Sequence, residues 1–283
     1  MKETRVVIVR DGDPKEMVHR ALKLMEAERL VSPEDKVLLK PNYVVARSPD
    51  TGVTTDSRVI EASIEFLKGL KIKEIVVGEG GAGDTERAFD AVGIREVVKR
   101  QGVKLLDLNR DERVNVRILG AMSLKEVGIA KTALESTCIF NLPKLKIHHM
   151  ALVTLCMKNL MGFILPKSIM HEDLNEKIVD LASLIKPKIN LIDGIVGAEL
   201  DETKGNPVPM NLLIAGSDMV AVDAVATAVM GVNPKKVRYL QLAEERRLGI
   251  ANLERIEVIG EQIEDVQKSF KLPPAFKDAA IGT

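Results

Sequence analysis

The chain has 283 residues, 46% of them hydrophobic and 29% charged, and 41 basic residues balance 41 acidic ones. This length can bury the core of one large α/β domain or of two smaller lobes. Zero net charge, six Phe, two Tyr and no Trp provide little attraction for nucleic acid or an anionic membrane and few rings for base stacking. We therefore expect neither a nucleic-acid partner nor a membrane partner.

The cysteines and the apolar runs indicate the cellular compartment. Cys138 and Cys156 lie far apart in apolar surroundings. Such a pair cannot supply the four thiolates of an iron–sulfur cluster or the ligands of a structural zinc. The first apolar run is too short for a signal peptide, and no stretch is long enough to span a membrane. These features predict a cytoplasmic protein without an iron–sulfur cluster in this chain.

Eight short apolar runs rich in β-branched residues predict strands. They are Arg5–Val9, Lys36–Leu39, Glu74–Val77, Lys104–Leu108, Cys138–Asn141, Ile189–Asp193, Asn211–Ala215 and Arg255–Ile259. Near-continuous apolar strands separated by helix-like stretches are typical of a parallel sheet that is covered on both faces. The prediction is an α/β fold with a mainly parallel sheet and helices on both faces, built as one domain over residues 1–260 or as two lobes. Residues 261–283 read as a C-terminal extension.

Two of the intervening stretches have clear helical signals. Ser57–Leu70 carries apolar residues at helical spacing, which predicts that Glu61 faces solvent, and it starts after the capping residue Asp56. Ser217–Met230 begins with a Ser-Asp cap. Asp218 and Asp223 are assigned to this cap and its first turns, with Asp223 a lesser candidate for the site.

Ligands of parallel sheets bind at the carboxyl ends of the strands, so the residues after each strand are the candidates for a site. Two long loops at such positions, Lys40–Asp56 and Gly194–Met210, are expected to be functional or mobile. The first contains a group that could clamp a carboxylate or phosphate, namely Lys40, Asn42, Thr54, Thr55 and Asp56. Capping of the loop by its own hydrogen bonds is the competing interpretation.

Residues Gly78–Gly83 fit the pattern G-x-G-x-x-G between a predicted strand and a helix near Thr85, the context of a dinucleotide-binding turn. However, Glu79 and Asp84 put negative charge where a pyrophosphate would need the positive end of the helix. The pattern therefore argues against NAD as a cofactor, and Glu79 and Gly80 are assigned instead to a tight turn or a substrate-facing loop.

The segment 141–173 concentrates most of the basic residues that could carry chemistry. It contains His148, His149, His171, Lys144, Lys146, Lys158 and Lys167. Lys158 interrupts an apolar stretch, so its amine must reach solvent, find a partner or occupy a pocket with a lowered pKa. Next to it, Asn159 and the nearby Gly162 could admit a ligand. The histidines are candidates for proton transfer or metal ligation, and a snorkelling lysine with surface histidines is the alternative.

Several motifs in order resemble the family called domain of unknown function 362, over about residues 36–247. They are LLKPN (38–42), TTD (54–56), EGGAGDTERAFDAVGI (79–94), FNLPKLKIHH (140–149), LCMKNLMGFILP (155–166), MHEDLNEKIVDL (170–181), LIDGIVG (191–197) and SDMVAVDAVA (217–226). Some members of that family carry ferredoxin-like modules, whose cysteine clusters this chain lacks.

A more distant resemblance is to the nickel-pincer lactate racemase family, where a lysine anchors an organic nickel cofactor. The resemblance implies that Lys158 is the anchor, that His148 or His149 lies beside the metal, and that His171 is a further nickel-side histidine. The sequence departs from that family at GEGGAGD, which lacks a histidine, and at Cys156-Met157-Lys158, where the family has Gly-Gly-Lys.

These observations predict an enzyme for a small anionic metabolite or an organic cofactor. Lys40, Lys144, Lys146 and Lys158 would supply positive charge, with Asn42, Thr54, Thr55, Asp56, Glu79, Gly80 and Asn159 around the ligand. His148, His149 and His171 would move protons or hold a metal. A nicotinamide-dependent oxidoreductase and a non-catalytic accessory protein of a metalloenzyme stay open as alternatives, as does a homo-oligomer.

Overall fold

A computed structural model describes residues 2–282 of the chain. Its strands are β1 (Thr4–Arg10), β2 (Lys36–Pro41), β3 (Glu74–Glu79), β4 (Lys104–Asp107), β5 (Arg113–Arg117), β6 (Glu126–Ala130), β7 (Cys138–Leu142), β8 (Lys144–His148), β9 (Leu152–Thr154), β10 (Ile164–Leu165), β11 (Ile189–Ala198), β12 (Pro207–Gly216) and β13 (Ile256–Gly260). Its α-helices are α1 (Pro14–Leu24), α2 (Ser57–Gly69), α3 (Thr85–Val92), α4 (Ile94–Gln101), α5 (Lys131–Glu135), α6 (Cys156–Asn159), α7 (Leu174–Leu184), α8 (Met219–Val229), α9 (Arg238–Glu245) and α10 (Ile263–Val266).

The large sheet has the strand order β13-β1-β12-β11-β7-β2-β3-β4, with β8 pairing β11 and β9 pairing β8. Most neighbours are parallel, but β12 runs antiparallel to both β1 and β11, and β9 runs antiparallel to β8. A small antiparallel sheet of β10, β6 and β5 lies beside it. The predicted α/β fold with a mainly parallel sheet is confirmed.

The two faces of the large sheet bury separate hydrophobic cores. Along β1, Val6 and Ile8 belong to one core, whereas Val7 and Val9 belong to the other. This alternation follows from the two-residue repeat of a strand. Helices α1 to α4 cover one face, and α6 to α10 cover the other.

All eight predicted strands are present, but the predicted loop Gly194–Met210 is wrong. Strand β11 continues to Ala198 and β12 starts at Pro207, so only residues 199–206 connect them. Pairs such as Gly197 with Val208 extend the ladder past the bulge near Gly194. Because the sequence there is rich in glycine and proline, its local pattern conceals a hairpin that is stabilised by tertiary pairing.

The helices α2 and α8 start at the predicted capping residues, but the predicted exposure of Glu61 is wrong. Asp56 accepts a hydrogen bond from the Arg58 backbone N–H at the start of α2, and Asp218 caps α8. Glu61, predicted to face solvent, is buried. Its carboxylate accepts a hydrogen bond from Arg100 of α4 at 2.8 Å, so a cross-helix ion pair determines its position.

The segment after Gly260 packs back onto the rest of the chain. Val266, Phe270 and Ala279 are buried in the same core as α7 and α8. Within residues 2–282, no helix combines the length and apolar content that crossing a bilayer would require.

Candidate functional site

A cavity of about 210 Å³ lies where the carboxyl ends of β2, β3 and β8 meet α6. The predicted site residues that line it are Lys40, Asn42, Glu79, Gly80, Lys146, His148, His149, Lys158, Asn159 and His171. The structure thus brings Lys158, His171 and both neighbouring histidines to a single cavity with Lys40 and Asn42. Lys167 and Glu202 also line it.

Four predicted site residues lie outside this cavity. The Thr55 hydroxyl donates to the Leu142 carbonyl and accepts from the Asn42 backbone N–H, and the Thr54 hydroxyl donates to the Arg47 carbonyl. Asp56 caps α2. These are the hydrogen bonds of the loop-capping interpretation.

Lys144, the fourth, is buried outside the cavity at the start of β8. Its amine lies 2.8 Å from an Asp193 carboxylate oxygen, and both side chains are almost completely buried. The same oxygen of Asp193 accepts from the Asp56 backbone N–H. This arrangement ties the loop after β2 to β11.

Lys40 forms a buried ion pair at the floor of the cavity. Its amine is 2.8 Å from Glu79 and donates to the Asn159 side-chain oxygen at 3.1 Å and to the Pro41 carbonyl at 2.8 Å. Burial lowers the pKa of Lys40, and the adjacent Glu79 charge opposes that shift. A lysine ammonium has three N–H donors, and these three acceptors satisfy all of them.

Lys146 is satisfied in a similar way. Its amine donates to the Asn42 side-chain oxygen at 2.7 Å, to the Val53 carbonyl at 3.0 Å and to the Glu202 carbonyl at 3.2 Å. Complete burial, with a smaller contribution from the Lys158 charge, lowers its pKa to about 7. The Asn42 amide donates in turn to Asn159 at 2.9 Å, so a chain of amides links the two satisfied lysines.

Lys158 and Lys167 retain unused donors. Among the described residues, the Lys158 amine donates to the Met161 sulfur at 3.6 Å, which is a weak acceptor. Lys167 donates to the Asn109 side-chain oxygen at 2.8 Å and to the Ile164 carbonyl at 3.1 Å. Desolvation lowers the pKa of each to about 8.

His148 and His149 stack with ring centroids 4.9 Å apart beside Glu202. The His148 Nδ1 accepts backbone N–H bonds from Met150 at 2.9 Å and from Ala151 at 3.1 Å. Burial, with added repulsion from the Lys158 and His149 charges, lowers the pKa of His148 to about 2. We therefore assign a neutral ring with its proton on Nε2, which lies 3.5 Å from Glu202.

His149 has the opposite arrangement. Its Nδ1 lies 2.8 and 3.0 Å from the two Glu202 carboxylate oxygens. A carboxylate on Nδ1 holds the proton there and leaves the Nε2 lone pair available. The His149 side chain is 54% exposed, so this lone pair is accessible to a ligand or to water.

The nitrogens of both histidines and an oxygen of Glu202 lie within 4.8 Å of one another, which is a spacing that a metal ion could bridge. The hydrogen bonds of His148 argue against this. A ligating imidazole normally donates its second ring N–H, whereas the second nitrogen of His148 accepts two N–H groups. Ligation through Nε2 would thus require an imidazolate. The donor set does not fit a metal held by both histidines.

His171 lies at the rim of the cavity. It is exposed and follows the 3-10 turn Lys167–Met170. Its backbone N–H donates to the Ser168 carbonyl.

Asp223 of α8 positions the segment that carries Lys158. Its carboxylate accepts from the backbone N–H groups of Cys156 at 2.7 Å and Met157 at 3.0 Å. These are free donors of the first turn of α6, so Asp223 caps that short helix from another element. Asp223 lies in the first turns of α8, as predicted, but its side chain reaches across to α6.

The sequence suggested that Gly162 leaves space for a ligand, but the structure fills this space with protein atoms. A Cβ there would lie 2.5 Å from a Glu79 carboxylate oxygen and 2.6 Å from the Lys40 amine. A Cβ on Gly80 would lie 2.4 Å from the Gly162 carbonyl. Both glycines allow the backbone to pack against the buried ion pair.

Sequence reasoning missed Glu202 and underrated Lys167. Glu202 lies in the connection between β11 and β12, far in sequence from the histidines, and no motif marks it. A carboxylate in a loop that follows a strand end was the available signal.

Comparison with known proteins places these residues in a family. The family model described as domain of unknown function (DUF362) matches residues 37–228, which include the strands and helices around the cavity up to α8. The thylakoid-associated protein sll1697 of Synechocystis sp. (strain ATCC 27184 / PCC 6803 / Kazusa) is 26% identical over 230 residues, which are 78% of this chain and 70% of that protein. The chain belongs to the DUF362 family.

Proposed function

We propose that this protein is an enzyme that binds a small organic anion in the cavity and transfers a proton to or from it. Lys158 and Lys167 would bind the anion, and His149 held by Glu202 would act as the base. The observation that carries the proposal is that two lysine amines with unused donors share one cavity with a histidine whose Nε2 lone pair is accessible.

Charge supports an anionic ligand. Four lysines line the cavity against the carboxylates of Glu79 and Glu202. Glu79 is bound to Lys40, and Glu202 to His149. Burial disfavours the positive charges of Lys158 and Lys167 and lowers their pKa values in the absence of a ligand. An anion in contact with both amines would compensate these charges.

Proton transfer follows from the arrangement of the histidines. His149 has a carboxylate on one ring nitrogen and a free lone pair on the other, which is the pairing that general bases commonly use. His148 would donate its Nε2 proton in a hydrogen bond and stay uncharged near pH 7, because its pKa is low. The two adjacent rings would thereby serve as acceptor and donor.

The glycine-rich turn gives little support to the nicotinamide alternative. Gly80 and Gly81 pack closely against the carbonyls of Gly162 and Tyr43, and Asp84 already caps the N-terminus of α3. That NAD does not bind there stays a prediction.

The lactate racemase resemblance is a finer proposal, and the site supports it only in part. Lys158 and the histidines share a cavity, as that resemblance implies. The hydrogen bonds of His148 do not suit a nickel ligand, so we derive no step through a nickel cofactor. A cytoplasmic location is likewise a proposal, because the name of the Synechocystis relative associates that protein with thylakoids.

The test is proton exchange in D₂O. Lactate, malate and pyruvate are incubated with the protein. Proton NMR follows the signal of the hydrogens on the carbon adjacent to the carboxylate carbon or, in pyruvate, to the ketone carbon. The proposal expects loss of the signal from at least one acid above the rate without protein, and about a 10²- to 10⁴-fold slower loss in His149→Gln and Glu202→Gln. Glu34→Gln, on an exposed side chain, is the matched control.

Two results together would refute the proposal. They are no exchange with any of the three acids, and no increase in thermal stability of the protein in their presence. Exchange that persists at the same rate in His149→Gln and Glu202→Gln would instead show that these two residues take no part in the mechanism. An accessory protein without catalysis would bind an anion but exchange no protons.

A further inference from the structure

The lysines of the cavity fall into two chemical classes, and the difference concerns reactivity as well as binding. Lys40 and Lys146 each donate to three protein oxygens. Within the described residues, Lys158 donates to the Met161 sulfur and forms no ion pair. An amine that no oxygen or carboxylate holds is free to turn toward a reacting carbon.

We infer that Lys158 is a nucleophile that forms an imine with the carbonyl group of a small 2-oxo acid in this cavity. The inference deepens the proposed function and rests on it, because both use the same cavity and its preference for anions. It adds the substrate class and a covalent step.

Other groups in the cavity match the remaining parts of a 2-oxo acid. The carboxylate needs a cation with a spare donor, and Lys167 uses two of its three N–H groups on protein oxygens. The His148 Nε2–H is a second donor. The carbonyl carbon is then left for the Lys158 amine.

The step balances without an added oxidant or reductant. The neutral Lys158 amine attacks the carbonyl carbon, and the C–O π electrons move to oxygen. The attacking nitrogen then releases one proton, and the oxygen takes one up. The resulting carbinolamine loses water as a C=N bond forms. Once protonated, that imine can accept an electron pair, so His149 could remove a proton from the neighbouring carbon while the electrons move toward nitrogen.

The fraction of Lys158 that is neutral at pH 7 adds to the geometric argument for a nucleophile. A desolvated lysine with a pKa of about 8 has roughly a 300-fold larger neutral fraction at pH 7 than one with the ordinary value. The Glu202 charge acts in the opposite direction, but desolvation outweighs it and the pKa of Lys158 stays lowered.

Reductive trapping tests the imine. The full-length protein is incubated at pH 7 with pyruvate and sodium cyanoborohydride, and peptides are mapped by mass spectrometry. The expected product is one adduct on Lys158, with a mass gain equal to pyruvate less one oxygen atom, formed at least about tenfold faster than any adduct on the exposed Lys73. Lys158→Arg keeps the positive charge but cannot form an imine, so it should lose this adduct.

Titration with malonate, which has no ketone or aldehyde, separates the two proposals. If wild type binds malonate but Lys158 is trapped no faster than Lys73, the imine is overturned and the anion site stands. If malonate does not bind and no adduct forms, both proposals fail. A fast adduct that maps to Lys146 or Lys167 also contradicts the inference, and this result is read from wild-type protein without depending on a variant that folds.

Discussion

Lys144 and Lys158 occur within one short segment of the sequence and both interrupt apolar surroundings, yet the fold treats them in opposite ways. Lys144 lies 2.8 Å from Asp193 with both side chains almost fully buried. Lys158 contacts the Met161 sulfur and faces the cavity. The comparison shows that residue type and sequence neighbourhood do not decide which lysine is available for chemistry. The acceptors that the fold supplies decide it.

The largest expected effect comes from breaking the satisfied pair. Lys144→Met leaves the Asp193 carboxylate, which is buried, without its cation. Loss of one partner of a buried ion pair costs about 3–5 kcal/mol. We expect the free energy of unfolding, measured by urea denaturation, to fall by that amount.

Lys158→Met is the matched variant for that experiment. It removes an amine without an oxygen acceptor, so we expect a change of less than about 1 kcal/mol in the free energy of unfolding. If the two variants lose similar stability, the distinction between a structural and an available lysine is wrong.

Lys40 belongs with Lys144 in this comparison, and Gly162→Ala tests its packing. The added Cβ would lie within 2.6 Å of both Glu79 and Lys40, which are almost fully buried in their ion pair. We expect a loss of about 1–3 kcal/mol in the free energy of unfolding from this overpacking. Gly69→Ala is the control, because no atom lies within 4 Å of its added Cβ. Equal effects of the two substitutions would mean that the ion pair is loosely packed.

A smaller effect is expected on the pH dependence of the free energy of unfolding. The folded pKa values of Lys158 and Lys167 are about 8, below the value near 10.4 of an unfolded chain. Between these values the unfolded state binds more protons, so this contribution makes the protein more stable as pH rises from about 8 toward 10. We expect up to roughly 1 kcal/mol per lysine after allowing for solvent screening.

Urea denaturation at pH 7.5 and 9.5 measures this pH effect. Lys158→Met should gain less stability than wild type over the interval, whereas the exposed Lys73→Met should behave like wild type. The lowered pKa would be contradicted if the free energy of unfolding of wild type fell between pH 7.5 and 9.5 and Lys158→Met showed the same fall.

The sequence was sufficient for the fold and for the location of the cavity, for physical reasons. Apolar strands of period two and caps such as Asp56 are local signals, and the carboxyl ends of parallel strands converge by topology. Lys40, Glu79, Lys146 and His148 lie on three such strands and line one cavity.

Contacts between distant elements were not predictable. Glu202 reaches His149 through a hairpin that the glycine- and proline-rich sequence concealed, and Asp223 caps α6 from α8. The exclusion of Thr54, Thr55, Asp56 and Lys144 from the cavity has the same origin. Each finds its hydrogen-bond partner within the protein, and sequence does not reveal whether a polar group is already satisfied.

Calorimetric titration with malonate at pH 8, in two buffers that differ in ionisation enthalpy, tests the central claim that Lys158 is an available cation. At pH 8 an amine with a pKa of about 8 is half protonated. An anion that raises the pKa values of both Lys158 and Lys167 should therefore make wild type take up as much as about one proton per malonate bound, half of it at each lysine. Lys158→Met should bind about 10- to 100-fold more weakly and take up less. Absence of saturable binding to wild type, or proton uptake that is unchanged in Lys158→Met, would contradict the account.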